Sequence, residues 1–112
     1  MFDTSLLDET LKRQREKRDR ERVALLNRVT ETLKVIRGKY GIQTAYIVGS
    51  LLVEYRWHRL SDIDIAISGC SMPVLDIMKE LEDATGKTVD VVDLDQHAFP
   101  HAFRRKGLKI YG

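Results

Sequence analysis

The stretch Gly49-Ser50-Leu51-Leu52-Val53-Glu54-Tyr55-Arg56-Trp57-His58-Arg59-Leu60-Ser61-Asp62-Ile63-Asp64-Ile65-Ala66-Ile67 decides how this chain is read. Ile63, Ile65 and Ile67 alternate with Asp62, Asp64 and Ala66, the period of a strand with one apolar face. Residues two apart on a strand point the same way, so Asp62 and Asp64 share one side and the isoleucines take the other. Two neighbouring carboxylates repel each other, which costs stability unless solvent or a cation neutralises them. Mg²⁺ is a usual compensation, and it characteristically binds one or two carboxylates together with substrate phosphates. Gly49-Ser50, at the end of the strand expected over 45–48, supplies what phosphates need. Glycine lets the backbone come close, a following turn presents N–H groups, and the serine adds a hydroxyl donor.

Downstream, a third strand is expected over 88–94, with Asp90 between Val89 and Val91. Laid beside the Asp62 strand, Asp90 completes a cluster of three carboxylates able to hold two metal ions. Asp93, three residues on, should face the other way and is the weaker candidate. His97 and His101 have the spacing of a metal pair on a helix, but Pro100 spoils the helix that the spacing needs. Trp57 and His58 either stack on a base or anchor the loop; the residues alone leave both open.

Upstream, Leu26, Val29, Leu33, Ile36 and Tyr40 recur at spacings of three and four, a narrow helical stripe. The helix is expected from Ser5, as cap with Asp8 three residues on, to a stop at Gly41 or Gly38. From Lys12 to Arg22 it holds seven basic and three acidic residues and no apolar one, so it should project from the core. The division expected is a basic arm over 1–22 and a domain over 23–112. A solvated helix is the plain reading of the arm, and docking on an acidic protein surface comes next. Nucleic-acid binding is disfavoured because no aromatics interleave with the charges. A second helix is expected from Ser71 or Met72 to Thr85, with Pro73 in its first turn. A short piece around 98–105, interrupted by Pro100, and a last extended segment over 108–111 complete the order. Alternating helices and strands give an α/β (α+β) fold with a small mixed sheet.

Composition sets the outer bounds. With 112 residues and 43% hydrophobic content, the chain has material for one core. No apolar run nears the ~20 residues of a membrane span, and the first residues lack the pattern of a signal peptide. One cysteine, Cys70, excludes an internal disulfide. The expected compartment is the cytoplasm.

At Gly49-Ser50, Ser61-Asp62-Ile63-Asp64 and Val89-Asp90-Val91 the chain resembles the minimal nucleotidyltransferases (MNT) of the DNA polymerase β superfamily. Arg104-Arg105-Lys106-Gly107-Leu108-Lys109-Ile110-Tyr111 also looks like the end of that family's domain, and the likeness spans 23–112. The family's spacer between Gly-Ser and Asp-x-Asp is about ten residues, against eleven here. The arginine that the family carries early in the spacer is missing, leaving Arg56 and Arg59 as candidates for the triphosphate. The resemblance implies a nucleotidyltransferase core in which Asp62, Asp64 and Asp90 are the catalytic metal ligands and Gly49 and Ser50 bind nucleotide. It further implies Mg²⁺ or Mn²⁺ as cofactor, ATP as substrate and transfer of AMP to a hydroxyl of a protein partner. The implied partner is a HEPN-domain ribonuclease toxin that the chain would neutralise as an antitoxin, in a homo- or hetero-oligomer. The alternative is a degenerate member that neutralises its partner by contact alone.

Overall fold

The computed structural model describes residues 4–58 and 60–112. Arg59, one of the two candidate triphosphate ligands in the spacer, lies outside the described residues. Helix α1 spans Ser5–Tyr40, followed by strand β1 (Thr44–Val48), a 3-10 turn (Gly49–Leu52), β2 (Ile63–Ser68), α2 (Val74–Thr85), β3 (Val89–Asp93), α3 (Pro100–Lys106) and β4 (Leu108–Tyr111). The sheet order is β3-β2-β1-β4. β1 runs antiparallel to β2 and β4, whereas β2 and β3 are parallel and α2 makes the crossover that a parallel pair requires. This is the mixed sheet flanked by helices that the alternation of elements implies.

The helical stripe of α1 becomes the roof of the core. Val29, Leu33 and Ile36 are buried beside Ile77 and Leu81 of α2, over Ile47, Ile63, Ile65, Ile67 and Val89 of the sheet. The opposite face is thinner: Tyr46, Ala66 and Leu94 pack there with Val48, Val92 and Phe103 of α3. Tyr111 ties the β4 edge to α1, its hydroxyl donating to the Leu33 carbonyl (3.1 Å) and its ring lying under the Arg37 guanidinium (4.5 Å). Burial pushes the Tyr111 phenol up to about 12.

Several local expectations change. Ser5 is the first helical residue of α1 and Thr4 stands at the cap, one residue earlier than expected, without a side-chain cap bond. Of the two stops expected for the helix, it passes through Gly38 and ends at Gly41, whose N–H donates to the Arg37 carbonyl. Pro73 precedes α2 instead of sitting in its first turn. Pro100 opens α3, the one place in a helix where a missing N–H costs nothing.

The expectation that nothing between Lys12 and Arg22 packs on the body fails at Arg22. That side chain is 11% exposed, and its terminal N–H donates to the Leu51 carbonyl at 2.9 Å. A long basic side chain can bury its stem when its head finds acceptors.

Candidate functional site

The pleat of the sheet builds the site. In register across three strands stand Val48, Asp64 and Asp90. Ile63 and Ile65 point under α1 and α2, so this row faces the other way, on the side of α3. Neighbouring strands lie about 4.8 Å apart, which puts the Asp64 and Asp90 carboxylates side by side. Asp62 shares their parity, is exposed, and lies just before β2 begins. Asp90 is also exposed, on the strand at the sheet's edge, and Asp64 is half-buried.

The electrostatics agree with the register. Burial pushes the Asp64 carboxyl above the usual aspartate range, and the negative charges of Asp90 and then Asp62 push it further. Among the described residues none of the three carboxylates has an ion-pair or hydrogen-bond partner. A strand end that concentrates unpaired negative charge fits a cation. The side chains do not already surround one: no group of three or more His, Cys, Asp or Glu stands in cation-binding geometry among the described residues. Mg²⁺ needs only one or two protein carboxylates when phosphates complete its shell.

Gly49 follows Val48 directly and has φ +82°, a left-handed conformation. A Cβ there would come within 2.6 Å of Asp64 Oδ2. The position therefore needs glycine twice over, for its backbone angle and for the approach of the turn to the carboxylate. Ser50 follows in the 3-10 turn and is half-buried. Arg56 is exposed farther along the same loop.

The rest of the spacer is pinned at several points. Leu51 is fully buried. Trp57 is 5% exposed in the main core, with Lys87 Nζ 5.4 Å from its ring centre, so it anchors the loop. Between them Tyr55 adopts φ +64°, rare for a bulky side chain, and its N–H donates to Asp19 Oδ1 at 3.0 Å. The same Asp19 oxygen accepts from Arg22 Nε at 2.8 Å, which holds the Asp19 carboxyl below the usual range. Asp19 and Arg22 escape a sequence reading because an Asp–Arg pair three apart looks like any solvated helix pair, while their loop partners lie 29 and 36 residues away.

Asp93 and His97 make local contacts. Asp93 Oδ1 accepts from the Asp95 N–H (3.0 Å) and shapes the turn after β3, three positions from Asp90 and so on the other face. His97 accepts from the Phe99 N–H through Nδ1 (2.9 Å) and meets the Phe103 ring edge-on.

The chain matches the family described as Polymerase beta, Nucleotidyltransferase over residues 30–112. No curated protein matches it. Among solved structures it is similar to a toxin–antitoxin complex with AMP-PNP, at 23% identity and TM-score 0.62, over 74% of this chain and 73% of that one. It is also similar to the MntA–HepT toxin–antitoxin (21% identity, TM-score 0.57, 78% and 72% covered). A third likeness is to a complex of a tri-AMPylated Shewanella oneidensis HEPN toxin with its MNT antitoxin (22% identity, TM-score 0.57, 79% and 72% covered). At these identities the structures share a fold with this chain.

Proposed function

From its membership of the polymerase beta nucleotidyltransferase family, to which the chain belongs, we propose that it moves AMP from ATP to a hydroxyl of a protein partner, a HEPN toxin that it thereby neutralises. The observation that carries this reading is the row Asp64–Asp90 with Gly49 pressed against Asp64. A phosphate-approach turn and unpaired carboxylates meet at one end of the sheet. The partner is supported by the solved complexes, one of which holds AMP-PNP and another an AMPylated HEPN toxin.

In the reaction the acceptor oxygen bonds to the α-phosphorus, the bond from that phosphorus to the pyrophosphate oxygen breaks, and the acceptor proton leaves to a base. Asp62, Asp64 and Asp90 would hold Mg²⁺ or Mn²⁺, which supplies positive charge to the phosphates and acidifies a nearby hydroxyl. Positive charge at the site would offset the burial and the repulsion from Asp90 and Asp62 that raise the Asp64 carboxyl. Gly49 and Ser50 bring backbone and hydroxyl donors against the phosphates. Arg56 and Arg59 are the spacer's candidates for side-chain positive charge on the triphosphate. Asp90, at the open edge, serves the acceptor side. Because ATP is the donor, the reaction belongs in the cytoplasm. Residues 1–22 form the arm that reaches the partner.

The test is incubation with Mg²⁺, ATP labelled at the α-phosphate, and the HEPN protein encoded beside it. Label should appear on the partner with wild type and vanish with Asp64→Asn. A stable complex that acquires no label would instead establish neutralisation by contact alone. Neither complex nor label would overturn both.

A further inference from the structure

We infer that Asp19 and Arg22 of α1 are positioning residues for the nucleotide loop, a clasp that sets the backbone of the turn carrying Gly49 and Ser50. The inference rests on the nucleotidyltransferase reading for its consequence, but its geometry stands alone. One Asp19 oxygen receives two N–H donors, Arg22 Nε and the Tyr55 backbone, while another N–H of Arg22 caps the carbonyl of Leu51, the residue after Ser50. Two links from residues three apart on one helix thus grip the loop on either side of Val53 and Glu54. The Arg22–Leu51 bond is buried, where a lost donor leaves a carbonyl unsatisfied.

The grip also opposes strain. Tyr55 is the only non-glycine residue with positive φ among the described residues. Such a conformation persists only when its surroundings over-determine it. Here Asp19 holds the Tyr55 N–H on one side, and the burial of Trp57 fixes the chain two residues later. The contact is not a single point. The loop leans along α1 far enough to wall an open recess of about 580 Å³, with Lys17, Arg18 and Glu21 on one side and His58 and Leu60 on the other.

A phosphate-binding turn works by holding several N–H groups in fixed directions, so loosening its anchor lowers affinity without touching any ligand. Asp19 and Arg22 act on nucleotide through the loop.

The experiment combines hydrogen exchange over 49–57, emission of Trp57 (the single tryptophan) and calorimetry of Mg²⁺-ATP binding, for wild type, Asp19→Ala, Arg22→Met and Asp19→Asn. Asp19→Ala and Arg22→Met should speed exchange in the loop, and weaken Mg²⁺-ATP, by about tenfold each, while β1 and β2 stay protected. Asp19→Asn, which keeps an acceptor oxygen, should recover most of both. Unchanged loop exchange in Asp19→Ala and Arg22→Met overturns the clasp, as does equal loss of protection in loop and sheet, which marks ordinary destabilisation. Faster loop exchange with undiminished affinity overturns the positioning role. A wild type that binds no Mg²⁺-ATP would sink the functional reading, and the exchange data would still decide the clasp.

Discussion

Asp64 is the residue on which repulsion, burial and function meet. Its folded-state carboxyl holds a proton more tightly than in the unfolded chain, so its contribution to stability is fully present below the ordinary aspartate pKa of 3.8 and is lost as pH rises through its elevated value. At neutral pH without metal it is a source of instability. Asp64→Asn should therefore melt higher than wild type at pH 7 in chelator, and the gap should close toward about pH 3 to 4, where both side chains are neutral. Melting curves across that range check the sign, and a variant that melts lower at pH 7 would make Asp64 structural. The same substitution should lower AMP transfer at least about a hundredfold, since losing even an outer partner of a metal site costs 10–100-fold. With Asp90 serving the acceptor as proposed, Asp90→Asn should lower transfer far more than Mg²⁺-ATP affinity, and calorimetry beside single-turnover rates separates the two. Gly49→Ala meets both the φ of +82° and the Asp64 oxygen 2.6 Å away. It should destabilise by about 1 kcal/mol or more and weaken nucleotide binding, as read by denaturant melts and titration.

At the scale of elements, α1 shows how one helix serves two ends. Between Leu25 and Tyr40 its stripe is buried, and Leu33 is completely covered. Leu33→Ala should cost about 2–5 kcal/mol, whereas Val35→Ala, on the exposed side, should stay within about 0.5 kcal/mol. Urea unfolding of the two variants tests the assignment of faces. The stripe was legible because its spacing is local. The start of α3 was not: Pro100 reads as an interruption when the strand before it is uncertain and as a first helical residue once the chain is seen to turn there.

The whole molecule measures 64 × 27 × 19 Å, and α1 accounts for the long axis. Its leading part carries exposed Leu6, Leu7 and Leu11 ahead of the basic run, an apolar tip suited to a partner with an acidic surface and a greasy pocket. The clasp residues sit farther along, at 19 and 22, so two truncations separate the two roles. Removing residues 1–11 should leave Mg²⁺-ATP affinity within about twofold while partner binding weakens and loses part of its salt dependence. Removing 1–22 should weaken the nucleotide as well. Titration and pull-down at two salt concentrations distinguish these outcomes, and full partner affinity after removal of 1–11 would leave the tip a solvated helix.

Local chemistry alone determined much of this protein. Alternation placed Asp64 on the strand face opposite the isoleucines, with Asp62 at the same parity just before the strand, the three-four stripe made α1 a helix to Tyr40, and Gly49-Ser50 marked a turn where phosphate could approach. Each follows from spacings of a few residues, which backbone geometry converts directly into direction. Tertiary structure decided what depends on distant partners. It chose β3 as the parallel neighbour of β2, and so brought Asp90 level with Asp64. It also folded the spacer back on α1, giving Asp19 and Arg22 their loop partners. Those contacts join residues 26, 29 and 36 positions apart, and no periodicity in the chain encodes which remote segment will supply a hydrogen bond. Packing of the core supplies that choice, burying Leu51 and Trp57 together with the isoleucines of β2.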